Sequence, residues 1–320
     1  MGVLRWATSI ASPGAGRGKL LTFFFHRVLE VSDPMIPGEI EVRRFDAALQ
    51  WISQQFRVLQ PLQACEQLAA GTLPSRAAII SFDDGYRDNH DTAMPVLLRH
   101  RMSAVFFIAT GYLGDGVQFN DRLTEAFRAL REDSFDARWL DLGILPTHSM
   151  EARLATMHQV REALKYLEPQ ARTEAVERVE TLCATNGRGL QRGRVMMSAQ
   201  EVRALAANGM EIGGHTVTHP ILQSVDDAVA YAEIESGRSA LTAIVGRPPM
   251  LFAYPNGKRG RDFDARHAQM ARRAGFRFAF STQRGVATRA SDPLQLPRFM
   301  PWNTDALRFK LQALRVVAER

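Results

Sequence analysis

Cysteine is almost missing from this chain: Cys65 and Cys183 are the only two in 320 residues. That scarcity excludes a disulfide framework and a cysteine-built metal cluster. Both thiols fall in amphipathic helical patterns, which predicts buried free side chains. Long hydrophobic runs are also lacking, and none approaches the roughly 18 apolar residues that a membrane-crossing helix needs. Residues 1–19 have no secretory pattern, because Arg5 interrupts the longest apolar run and Pro13, Gly14, Gly16 and Gly18 follow. Lysine is scarce, at 4 of the 40 basic residues, a bias that genomic base composition explains as readily as function does. These absences lead us to expect a soluble, cytoplasmic protein. Peripheral membrane contact through a basic C-terminal region stays open.

Apolar residues make up 46% of the chain, enough for a sizeable core. The length suits one large α/β barrel or two modest domains. The net charge of +6 is unevenly spread: residues 252–320 hold 14 Lys/Arg against 5 Asp/Glu. Such a region could meet a membrane face, an acidic glycan or a pyrophosphate-linked sugar, or simply be a solvated basic surface. No nucleic-acid partner is expected, and the oligomeric state is not legible.

Short apolar runs alternate with helical patterns. Leu20–Phe25, Ala77–Phe82, Ala104–Ile108, Leu251–Tyr254, Phe276–Phe280 and Gln295–Arg298 read as strands, and a further strand ends at His215. Phe45, Leu49, Ile52 and Phe56 share one helical face. Ser198 and Glu201 form a capping box that opens a helix closed by Gly209. Further helices are expected from near Ser224 to Gly246 and over 264–274. This alternation predicts a mainly parallel α/β sheet. Residues 112–197 break the rhythm with helical stretches around 121–132, 149–167 and 169–185, which reads as a helical insertion over a barrel mouth.

Chemistry concentrates at strand ends. Phe82-Asp83-Asp84-Gly85 closes one apolar run and His215-Thr216-Val217-Thr218-His219-Pro220 follows another. Neighbouring residues on a strand point to opposite sides, so one aspartate can bind a cation while the other stays free as a base. Two histidines and a carboxylate suit a divalent metal, and a spare carboxylate suits metal-assisted hydrolysis. Parallel α/β barrels place their sites where these residues lie, at strand C-termini. An Asp-Asp-Gly run alone is equally a turn signal.

These two motifs, with Phe252-Ala253-Tyr254-Pro255-Asn256-Gly257, resemble the first three motifs of the polysaccharide deacetylase family, the NodB-homology group or carbohydrate esterase family 4. The resemblance covers roughly residues 20–110 and 196–300. It implies a distorted (β/α) barrel, one divalent metal ion and hydrolysis of N-acetyl groups on an amino-sugar polysaccharide or glycan precursor. On this resemblance Asp83 is the catalytic base, and Asp84, His215 and His219 hold the metal. Zn²⁺ suits that set, with Co²⁺, Ni²⁺, Mn²⁺ and Fe²⁺ as alternatives. The Asn256 amide aligns with the family's oxyanion donor.

Three departures stand out. Ala253 occupies the place of an arginine that braces the catalytic aspartate, and Arg298 is the candidate replacement. The aspartate–tryptophan element of the fourth motif is not recognisable, Ser291-Asp292 being its faint counterpart. No histidine follows His267 to supply the fifth motif's catalytic acid, and His26, at the end of the first strand, is the substitute. His267 is expected to face solvent from a helix. Arg87 and Asp88 would line the mouth or cap a helix. Tyr86 and Tyr254 would stack on sugar or pack in the core, and Trp302 could floor a sugar subsite. The expected organisation is an extension at 1–19, a deacetylase domain at 20–310 carrying the insertion, and a helical tail at 311–320. The substrate would be an N-acetylated glycan or a lipid-linked sugar. Other readings are a non-catalytic carbohydrate binder on the same fold, or an enzyme acting on O-acetyl esters or non-sugar amides.

Overall fold

The alternating apolar runs become the strands of one parallel sheet. In the computed structural model, which describes residues 2–184, 193–301 and 303–319, the strands are β1 (Leu21–Phe25), β2 (Arg57–Val58), β3 (Ala77–Phe82), β4 (Val105–Ile108), β5 (Glu211–Gly214), β6 (Leu251–Ala253), β7 (Phe278–Arg284) and β8 (Leu296–Arg298). Their order is β1-β3-β4-β5-β6-β7-β8, with β2 added to the start of β3, and every pairing is parallel. Just past β8, the Phe299 N–H donates to the Thr22 carbonyl and the Phe24 N–H to the Phe299 carbonyl. The sheet thereby nearly closes into a distorted (β/α) barrel, as the resemblance implies.

Helices cover the outside. They are α1 (Gly2–Ala11), α2 (Val42–Gln55), α3 (Pro61–Ala70), α4 (Met94–Arg99), α5 (Ala199–Ala207), α6 (Asp227–Val245), α7 (Ala265–Arg273) and α8 (Ala306–Ala318). Ser198 and Glu201 make the expected capping box at α5. Helix α8 buries Phe309, Ala313, Val316 and Val317 in the core shared with β1, β3 and α2, so it runs continuously across position 311.

Side chains alternate between the two faces of each strand, and the inner set carries the chemistry. On β1 the inward parity is Thr22, Phe24 and then His26; on β3 it is Ile79, Ser81 and then Asp83; on β8 it is Leu296 and Arg298. The contacts bear this out: the Arg298 guanidinium lies over the Phe24 ring at 4.5 Å and the Phe107 ring at 5.7 Å. Space inside is short. A Cβ on Gly213 would collide with the Phe107 ring, and one on Gly214, facing outward, would lie 2.6 Å from Phe276. The Gly213-Gly214 pair before His215 thus reflects packing on both faces of β5.

A second compact unit comprises Ser32–Gly38 and Asp115–Val195. Helices Phe119–Ala129, Met150–Lys165 and Pro169–Cys183 pack around Leu123, Phe127, Val160, Val176 and Cys183. Between the first two of these helices, Ser134–Asp136 and Ile144–Pro146 add an antiparallel hairpin that the sequence reading did not anticipate. Each of these strands buries a single apolar residue, Phe135 or Leu145, too short a pattern to show as alternation.

Candidate metal centre and active site

Asp84, His215 and His219 converge, with one potential ligand atom from each within 4.8 Å of the others. Asp84 Oδ1 stands 3.5 Å from His215 Nε2 and 3.3 Å from His219 Nε2. The backbone arranges this at some cost. Asp84, Thr216, His219 and Asn256 all have positive φ, making four of the eight non-glycine residues with positive φ among the described residues. Such strain gathers where a site over-determines it. Asp84 is turned out of the strand to φ 77, and its carbonyl accepts from the Ala109 N–H.

The histidine loop is clamped from α6. Glu233 accepts from the Val217 N–H and the Thr218 N–H, both at 2.8 Å, and from the Thr218 hydroxyl at 2.7 Å. Gly237 lets the helix come close, since a Cβ there would sit 2.9 Å from the Thr216 carbonyl oxygen. The Thr216 hydroxyl accepts from the His219 N–H at 3.1 Å.

His215 Nδ1 lies 2.7 Å from the Ala253 carbonyl. A carbonyl only accepts, so the proton sits on Nδ1 and Nε2 of the neutral ring presents a lone pair towards Asp84. Asp84 Oδ1 is buried without a hydrogen-bond partner. Burial opposes its ionisation, but the imidazoles of His215, His219 and His26 around it outweigh burial and hold its carboxyl well below the usual carboxylate range. An orphaned anionic oxygen facing imidazole nitrogens is a donor set that a divalent cation satisfies. His90, Asp91 and Glu201 also come within reach of one another. There, however, Arg87 already pairs with Asp91 at 2.8 Å, which makes that cluster an ion-pair network.

Beside the triad, Arg298 grips Asp83 with two parallel bonds of 2.7 Å, Nη1 to Oδ1 and Nη2 to Oδ2, and donates Nε to the Ser281 carbonyl at 2.9 Å. Arg298 is fully buried and Asp83 only 2% exposed. Burial would push the Asp83 carboxyl up, but Arg298 foremost, with His215 and His26, outweighs it and leaves the group below the usual carboxylate range. The bond to Asp83 thus comes from β8, where β6 offers only Ala253.

His26 reaches the same mouth. Burial would lower its pKa; the carboxylates of Asp84, Glu39 and Asp83 outweigh burial and raise it. Glu39 Oε2 accepts from the Arg27 N–H at 3.1 Å. Asp88 makes no side-chain cap bond to the helical turn it precedes; it accepts from Arg27 Nε at 2.8 Å and the Val28 N–H at 3.0 Å, which pins the segment that carries His26. Sequence reading missed Glu39 and Glu233, since each lies among other charged residues with no periodic signal. Asn256 stands three residues past Ala253 at the same end of the sheet, its carbonyl accepting from the Thr282 hydroxyl at 2.6 Å.

Other expectations change. His267 does not face solvent. It is fully buried, accepts the Asp264 N–H at Nδ1 (3.1 Å) and bonds the Leu222 carbonyl through Nε2 (3.1 Å). The helical pattern misplaced it because the side chain folds back to cap its own helix. Tyr254 is a core residue, stacked on Phe263 at 3.7 Å, and Tyr86 is buried too. Asp292 holds a turn by accepting the Leu294 N–H. Trp302 lies outside the described residues.

The profile of the family described as "Polysaccharide deacetylase" matches residues 70–279. The chain belongs to the polysaccharide deacetylase family. It is 25% identical over 185 residues to a putative polysaccharide deacetylase, YxkH, of Bacillus subtilis, an alignment covering 55% of this chain and 63% of that protein. Among solved structures it resembles Streptococcus pyogenes deacetylase PplD (TM-score 0.61, 17% identity, 92% of this chain and 98% of that one). It also resembles IcaB from Ammonifex degensii (TM-score 0.57, 18% identity, 94% and 98%). At these identities the likeness concerns the fold. The chain spans less than two thirds of the length of the curated Bacillus subtilis relative, and no described helix is long and apolar enough to cross a membrane.

Proposed function

We propose that this deacetylase is metal-dependent and removes N-acetyl groups from an amino-sugar polysaccharide or from a glycan precursor. The observation that carries the reading is the juxtaposition of the Asp84–His215–His219 donor set with an ionised Asp83 held by a buried arginine. A divalent metal bound by the three residues would supply Lewis acidity, making water a better nucleophile and the acetyl carbonyl a better electrophile. Zn²⁺ fits two imidazoles and one carboxylate.

The chain's own residues divide the remaining work. Asp83 keeps a free lone pair on each oxygen beyond those bonded to Arg298, and takes the proton of the attacking water. Arg298 fixes the orientation of that carboxylate and keeps it ionised. As the new C–O bond forms, the Asn256 backbone N–H meets the developing oxyanion. His26, whose pKa is raised by its carboxylate neighbours, gives a proton to the departing nitrogen as the C–N bond breaks. Acetate and a free amine result. A binding-only role has no need of the Asp83–Arg298 pair, whose burial is costly in its own right. A lipid-linked glycan as substrate would bring the chain to a membrane face.

The test is acetate release from N-acetylated glycans with and without a chelator. Asp83→Asn should retain metal, measured by elemental analysis, while turnover falls by a factor of about 10² or more. An active Asp83→Asn protein would remove the base assignment.

A further inference from the structure

Helix α1 leaves an apolar stripe in water. Val3, Trp6 and Ile10 are 77%, 66% and 60% exposed, at spacings that put them on one side of the helix. Another side is anchored: Thr8 is buried and bonded to Gln55, whose amide also donates to the Lys310 carbonyl. Helix α8, packed against α1, likewise exposes Leu307 and Leu311. Five of the eleven exposed large apolar side chains among the described residues therefore sit on these two helices.

The charged residues inside the two helices are all cationic, while the flanking acids are engaged, Asp305 in capping α8 and Glu319 with Arg284. Within α1 and α8 stand Arg5, Arg308, Lys310 and Arg315, and no Asp or Glu. Between the helices lies a cavity of about 230 Å³ whose wall combines Leu4, Ala306 and Leu307 with Arg5 and Lys310. Apolar anchors including an exposed tryptophan, framed by cations on short helices, are the combination that lies in the plane of a lipid interface. A second copy of the chain would bring like charge against like charge, and a glycan would leave Val3, Ile10, Leu307 and Leu311 wet.

We propose that α1 and α8 form a docking surface for an anionic lipid bilayer. Trp6, Val3 and Ile10 enter the headgroup boundary while Arg5, Arg308 and Arg315 meet lipid phosphates. The proposal is independent of the deacetylase chemistry, and its readout is binding alone.

Co-sedimentation of the full chain with phosphatidylcholine vesicles, with and without phosphatidylglycerol, tests it. The wild type should pellet with the anionic vesicles and be released by high salt. The Trp6→Ser/Ile10→Ser protein should partition about tenfold or more weakly, with an unchanged unfolding curve because both side chains are exposed. Arg5→Gln/Arg308→Gln should weaken binding to anionic vesicles by roughly tenfold or more, at about fivefold per cation. The proposal is overturned if the wild type stays in the supernatant with anionic vesicles, or if both variants bind as the wild type does. It is equally overturned if light scattering reveals a lipid-indifferent dimer that Trp6→Ser/Ile10→Ser dissociates.

Discussion

Arg298→Met is the most incisive single change, because it removes a charge while keeping a long apolar side chain against Phe24 and Phe107. Wild-type Arg298 is fully buried and meets Asp83 through two bonds of 2.7 Å. Without the guanidinium, Asp83 either stays charged in a dry site or takes up a proton. Breaking a buried pair from one side costs about 3–5 kcal/mol, and that is the expected loss of stability in urea unfolding at neutral pH. Activity should fall with it, and the acid limb of the pH–rate profile should move to higher pH. Burial pushes the Asp83 pKa up, and it would have lost the foremost of the groups that oppose it. Asp83→Asn/Arg298→Met removes both charges and should recover much of the lost stability, so a double-mutant cycle should return a coupling of about 2 kcal/mol or more. A coupling below about 0.5 kcal/mol, or an Arg298→Met protein with wild-type stability and pH profile, would refute the assignment of Arg298 as the brace.

His26→Ala should reduce turnover by about 10²-fold with metal content unchanged, since the imidazole serves the leaving group; elemental analysis beside kinetics checks both. Gly237→Ala would gain about 1 kcal/mol on helix propensity alone. The Cβ would meet the Thr216 carbonyl at 2.9 Å, so the net outcome should be a loss of about 1–3 kcal/mol and weaker metal retention, read by urea unfolding and dialysis. Burial holds the His267 pKa below its ordinary 6.5, so below pH 6.5 the unfolded chain binds a proton that the folded one refuses. Its contribution to stability is therefore full above pH 6.5 and declines as pH falls towards the lowered folded pKa. His267→Gln should flatten that limb of the stability–pH curve, and an unchanged slope would contradict the buried, neutral assignment. Burial pushes the Cys183 thiol up to about 12, so native protein should resist thiol reagents until denatured.

The family and the barrel were legible because their signals are local. Most strands lie in short apolar runs, β2 (Arg57–Val58) being an exception, and the two motifs sit within six residues of a strand end. Strand parity also places His26, Asp83 and Arg298 on one inner face once the strands are known. What stayed illegible depends on contacts between residues far apart in the chain. Glu39, Asp88 and Glu233 act on the site through backbone N–H groups or charge, and their neighbours in sequence give no sign of it. His267 was misread because its helix periodicity is outvoted by a cap that folds the ring inward.

By itself the sequence determined the alternation of strand and helix, the family, and which residue types could hold a metal and move a proton. Only the tertiary structure decided which arginine meets Asp83, because Asp83 and Arg298 are 215 positions apart and become neighbours only when the sheet closes. It also decided that Asp84 Oδ1 is left unpaired between two imidazoles, and that α1 and α8 share one cationic, partly apolar surface. The physical reason is the same in each case: burial and charge pairing depend on distances in space, which an apolar pattern along the chain constrains for each strand but not for the ring that the strands form.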